Sequence, residues 1–192
     1  RINSLIIRHG SVTYNRNYMP KKEGVLDPAH LKITDISAHL LLKTVAKDSI
    51  NLNVKKISLN EQSGLKINKL SLRFEGGKSS CSLKDFEIVM PQSFFRIDSI
   101  NANYDIDKTA SNIPIVFSGA IGKSKIHSHD LAFIQPEFRK KQCTIEMASV
   151  FNGTEKSLSI MNLDIDTDGD FIAASIGKDI KSISRLGGVR IS

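Results

Sequence analysis

Few of the 192 residues have both the type and the spacing for chemistry. Leu5-Ile6-Ile7-Arg8-His9-Gly10-Ser11 reads as a strand that delivers an imidazole next to a guanidinium, one able to attack phosphorus and the other to hold phosphoryl oxygens. That reaction also needs a second His, further Arg or Glu around the phosphoryl group, and helices to bring them together. His127 and His129 are the distant candidates; neither is followed by Gly, and the surrounding pattern is strand after strand. The simpler reading is a strand with Arg8 and His9 at its wet end. Asp164, Asp166, Asp168, Gly169 and Asp170 begin like a calcium loop, but the twelfth position, where a bidentate Glu belongs, is Ser175. They read as a carboxylate-rich turn after a strand. His127, His129 and Asp130 offer two imidazoles on one strand face with no third or fourth ligand, and so read as surface polar groups. Cys81 and Cys143 lack a CxxC spacing, cannot build a zinc site alone, and read as free small apolar side chains, with one long-range disulfide as the alternative. No nucleophile elbow, phosphate loop or dinucleotide fingerprint is present. The expectation is a non-enzyme without catalytic residues, metal or cofactor.

Composition bounds the rest. With 40% hydrophobic and 24% charged residues the chain sits near globular averages, which argues against disorder and against a disulfide scaffold. A balance of 27 Lys+Arg over 20 Asp+Glu gives +7, yet the cations are scattered and aromatics are 6% without Trp, so no nucleic-acid partner is expected. A basic solvated surface also suits proximity to anionic headgroups. The longest apolar run, Leu40-Leu41-Leu42, falls far short of the roughly 20 residues a membrane helix needs. The chain opens at Arg1 without a signal pattern and reads as a piece of something longer.

The elements that must position any site are announced by an octad with apolar residues at its first, third, sixth and eighth places. It runs Leu31 to Ala38, Leu52 to Leu59, Leu65 to Leu72, Cys81 to Ile88, Phe95 to Ala102 and Leu158 to Ile165. Alternation within each half is strand-like. The doubled polar pair in the middle would throw the second half to the opposite face, unless the extra residue is absorbed in a bulge or bend. Turn-formers at Ala46 to Ser49, Glu61 to Gly64, Glu75 to Lys78 and Met90 to Ser93 are too short for parallel crossovers, so residues 50–104 read as an antiparallel meander of bent strands. Curled side by side, such strands form an open trough, and eight residues give each about 26 Å to wrap around a slender ligand.

Elsewhere, Asp27-Pro28 can cap a short turn, and Asp35 to Lys47 fits helix or strand. Ser128 to Lys141 reads as a helix capped by Ser128 and kinked or restarted at Pro136. Ile113 to Gly122 and Thr144 to Phe151 read as strands, Asn152-Gly153-Thr154 as a turn, and Asp170 to Ser192 as weak alternation. The whole, 1–192, is read as a single β-groove segment, with a first set of strands over 1–125 and a short helix plus further strands over 126–192.

Two resemblances follow. The Arg8-His9-Gly10 stretch resembles the signature of the histidine phosphatases, without the remaining parts of that site. The octads, with Ser128 to Phe138, Asn152-Gly153-Thr154, Leu158 to Ile165 and the opening Ile2 to Tyr14, resemble the late repeats of the TamB-like branch of the AsmA-like family, in particular chains of Bacteroidetes, over essentially the whole sequence. This second resemblance implies a long periplasmic protein, anchored in the inner membrane by a segment outside this sequence. Its bent strands would form a hydrophobic groove toward the outer membrane. Implied roles are phospholipid transport and, with an outer-membrane partner of the Omp85 type, assembly of outer-membrane proteins. An open groove lined by apolar residues would shield acyl chains, whose exposure costs about 0.8 kcal/mol per methylene. The expected lining is Leu52, Val54, Ile57, Leu59, Leu65, Ile67, Leu70, Leu72, Leu83, Phe86, Ile88, Phe95, Ile97 and Ile100. The competing reading puts the same residues in the closed core of a structural or adhesive β-sandwich from a secreted protein.

Overall fold

The computed structural model describes residues 3–46, 48–104, 115–140, 142–167 and 178–180. Ten strands run β1 (Ser4–Asn15), β2 (His30–Ala46), β3 (Ser49–Glu61), β4 (Lys66–Gly76), β5 (Ser80–Val89), β6 (Phe94–Asn103), β7 (Val116–His127), β8 (Thr144–Thr154), β9 (Ser157–Thr167) and β10 (Lys178–Ile180). They form one sheet in strict sequence order, every neighbour antiparallel. The expected meander of bent strands curled into an open groove is the observed architecture, and it extends well beyond residues 50–104. Asp35 to Ala46, ambiguous in sequence, is strand.

The octad's surplus residue is spent as anticipated. The register slips between Val54 and Ile57, around the Lys55-Lys56 doublet, and on β4 between the residues facing Ile57 and Leu59, around Asn68-Lys69. Another slip falls where Ser71 and Arg73 of β4 face Glu87 and Lys84, which brackets Asp85. Three bulge residues take positive φ: His9 at 54°, Asp35 at 54° and Asp85 at 49°. Asp and His are among the few L-residues that tolerate this left-handed region, so polar residues at these places serve the backbone as well as the solvent. Arg8 and His9 therefore sit at a mid-strand bulge, not at a strand's wet end.

Two long connections, 16–29 and 128–143, lie at the same end of the strands as the tight β3–β4 and β5–β6 turns. The expected helix over Ser128–Lys141 is instead two 3₁₀ turns, Ser128–Leu131 and Pro136–Arg139. Pro136 has no N–H to donate, and the groups around it are claimed by other loops. The Gln92 amide donates to Asp130 Oδ2 at 2.8 Å, the Leu26 amide to the Phe133 carbonyl at 2.7 Å, and Arg139 to the Ser63 carbonyl at 3.1 Å. The cap is His127, whose Nδ1 accepts from the His129 amide at 3.2 Å, rather than Ser128. Asn152-Gly153-Thr154, read as a turn, belongs to β8; the turn is Glu155-Lys156.

Most of the buried polar groups gather at this stitched end. They include Asp27, His30, Glu61, Ser63, Ser93, Asp130 and Thr144; Ala29 and Ala132 are buried there too. Asp27 does cap its turn: it accepts from the Lys22 amide at 2.9 Å, the Ala29 amide at 3.0 Å and His30 Nδ1 at 2.9 Å. Among the described residues every buried side-chain nitrogen or oxygen has a hydrogen-bond partner.

Candidate functional site: an uncovered apolar face

Residues paired across antiparallel strands point to the same side of the sheet, so the register itself traces the site. One rung runs Leu42, Leu52, Phe74, Leu83, Ile100, Gly119, Phe151 and Ile160 across β2 to β9. Its neighbour joins Leu40, Val54 and Leu72 and, beyond the Asp85 bulge, Phe86, Ile97, Ile121, Ser149 and Leu163. A third joins Ala38, Ile57, Leu70, Ile88 and Phe95, and Leu59 faces Ile67 in a fourth. The bulges keep successive rungs on one side, and that side is apolar over nearly the full width of the sheet.

Thirteen of the fourteen expected lining residues are paired on this face; Leu65 lies in the β3–β4 turn, where its carbonyl accepts from the Glu61 amide at 2.8 Å. Val54 is buried at 4% exposure, while the other expected lining residues are half-buried. No described side chain is fully buried, and the described residues place no second layer over these rungs. A face-to-face sandwich would have enclosed large apolar residues in its interior. Here they are held by lateral contact alone, such as the edge-on Phe86–Phe95 pair, with ring centroids 6.3 Å apart.

The face is larger than the expected list. It takes in Leu40, Leu42, Phe74, Phe117, Ile121, Phe151 and the β9 residues Leu158, Ile160, Leu163 and Ile165. The Leu158 to Ile165 octad carried the same signal as the others, and Phe74 merely continues the alternation past Leu72. Phe117 and Phe151 were hidden because their cross-strand partners are glycines, Gly153 and Gly119.

The opposite side is polar and laced with ion pairs. Lys69–Glu87 at 2.6 Å, Arg96–Asp98 at 2.6 Å, Lys125–Glu146 at 3.2 Å and Arg73–Asp85 are all substantially exposed. Pairs in that setting add little stability each and mainly keep the face wet.

The residues singled out for chemistry stay apart. His127 bonds to its own turn, Asp164 and Asp166 are exposed along β9, and Asp168, Gly169, Asp170 and Ser175 lie outside the described residues. Cys81 and Cys143 are free thiols. No cluster of three or more His, Cys, Asp or Glu able to hold a metal occurs among the described residues. Compared with family models, with curated proteins and with solved structures, the chain matches none.

Proposed function

We propose that this chain is a segment of a lipid-shielding groove, in which phospholipid acyl chains lie along the apolar rungs while headgroups remain in water. A single observation carries the reading: an apolar face that continues from rung to rung across β2 to β9, with no second sheet packed over it among the described residues. A sixteen-carbon tail in water faces on the order of 12 kcal/mol, which such a face offsets. At about 4.8 Å per strand the ten strands extend about 43 Å, while the roughly 15 Å depth of one bilayer leaflet corresponds to three or four strands. A tail can therefore slide from strand to strand along a rung without leaving apolar contact. With the resemblance of the octads, the setting proposed is a periplasmic bridge anchored in the inner membrane. It would serve phospholipid transport to the outer membrane and outer-membrane protein assembly beside an Omp85-type partner.

The test is mass spectrometry of lipid extracted from the purified chain. Co-purifying phospholipid that is lost in Ile97→Asp, with circular dichroism unchanged, supports the groove. Lipid-free protein that also fails to take up a fluorescent phospholipid overturns it.

A further inference from the structure

On the polar side of the sheet, β1, β2 and β3 bulge at the same level, and Arg8, Lys56 and His39 line one cleft there. We propose that this is a binding site for a phosphoryl anion. The strands between Ser37 and His39 and between Lys56 and Ser58 are in regular register, with Ser37 facing Ser58 and His39 facing Lys56; Ala38 and Ile57 between them belong to the apolar side. Ile6 faces His39, and Arg8, two residues on, shares the face of Ile6. Ile7 faces Ala38 and Gly10 faces Ile36, so Arg8 and His9 together oppose Ser37; the positive φ of His9 marks this bulge. The result is an open cleft of about 220 Å³ in which Arg8, Ser37, His39, Lys56 and Ser58 surround an apolar floor contributed by Ile6, Ile7 and Ala38.

The basic side chains of this cleft have no counter-charge, a state they share with Lys32, Lys43 and Lys66 among the described residues. Elsewhere on the same side Lys69, Arg73, Lys84, Arg96 and Lys125 each have a carboxylate within ion-pair distance. No carboxylate lines the cleft, and among the described residues Arg8, His39 and Lys56 make no ion pair. Asp35, two residues before Ser37, accepts instead from Asn60 Nδ2 at 2.9 Å. The polar residues that line it carry a guanidinium fork, an ammonium, an imidazole and two hydroxyls, a set rich in donors and suited to an anion with several oxygens on one centre. The volume admits a phosphoryl group with a small alcohol attached. That chemistry is shared by a lipid headgroup and by a free phosphorylated solute. The inference stands on the polar side alone and does not depend on the groove.

The experiment titrates inorganic phosphate and then glycerol 1-phosphate into the isotope-labelled chain, following amide resonances by NMR. In parallel, the chain is floated with vesicles of phosphatidylcholine, alone or mixed with phosphatidic acid. Saturable shifts at Ser37, His39 and Ser58 with Kd on the order of 1 mM are expected. They should weaken about tenfold or more in Arg8→Gln/Lys56→Gln and stay unchanged in Lys84→Gln/Lys125→Gln. Flotation that depends on phosphatidic acid and is lost in Arg8→Gln/Lys56→Gln assigns the headgroup; saturable solute binding without flotation assigns the free phosphate ester. Absence of saturable binding to either probe overturns the site. So does equal weakening in the two double variants, which would mean general attraction to a cationic chain.

Discussion

The Phe151 ring lies over Gly119, its direct partner across β7 and β8, so closely that a Cβ on Gly119 would stand 2.5 Å from Cζ of the ring. Phe117 covers Gly153 in the same way two residues along, at 2.8 Å, and the two rings are 6.4 Å apart. Each glycine leaves the recess that its partner's ring fills, which lets two aromatics lie on the apolar face of adjacent strands. Gly119→Ala should displace Phe151 and cost about 1–3 kcal/mol. The check is urea denaturation, and loss of the Phe117–Phe151 contact in NMR should accompany the drop.

Asp85 at φ 49° fixes the β5 bulge that returns Phe86 to the apolar side. A β-branched residue does not tolerate that conformation, so Asp85→Val should destabilise the chain by about 1–2 kcal/mol, while Asp85→Gly should be near neutral. Loss of the exposed Arg73 pairing is common to both variants, so their difference isolates the backbone term. Equal denaturation midpoints for the two would remove the bulge argument.

Side-specific substitution separates the two faces of one strand. Ile97 faces Phe86 and Ile121 on the apolar side, whereas Asn101 faces Ser82 and Ser118 on the polar side. Ile97→Asp should abolish uptake of a fluorescent phospholipid, and Asn101→Asp should leave it intact. Matching losses in both would mean that strand integrity, not the apolar side, governs uptake.

Asp27 is held at a pKa of about 2, below the ordinary 3.8, chiefly by the hydrogen bond from the Lys22 amide; the Ala29 amide and His30 add to this, against the opposing effect of burial. A depressed folded-state value means the unfolded chain takes up the proton first. The stabilisation is therefore complete above about pH 4 and is lost as pH falls toward 2. Asp27→Asn should lower the thermal midpoint at neutral pH and flatten its dependence between pH 4 and pH 2, measured by melts across that range.

The repeating part of this fold was legible because each octad states a local rule. Two half-strands share one dry face, and Lys55-Lys56 or Lys84-Asp85 supplies the residue that the bulge consumes. The uncovered state of the face was only half legible, since Leu70 or Ile88 would look the same in a sandwich core; the decision rests on there being a single sheet. What the sequence hid is non-local. Asn152-Gly153-Thr154 has turn composition but stays in β8 because Phe117 packs over Gly153. Ser128 to Lys140 has a helical apolar spacing, yet its polar groups are taken by Gln92, Leu26 and Ser63, which no local pattern announces. Of the polar residues lining the β1–β3 cleft, Arg8 stood out in the sequence, but Ser37, His39, Lys56 and Ser58 come from β2 and β3 and join it only through register.

In a flat sheet six spacings, about 29 Å, would part β1 from β7. The 128–143 connection nevertheless ties back to the loops after β1, β3 and β5 through Phe133, Arg139 and Asp130. Such lashing along one lip turns the seven strands β1 to β7 into a splint that resists splaying. Opening the trough at this lip would mean breaking those three ties together, so its cross-section is set over β1 to β7 by the loops rather than by the strands alone.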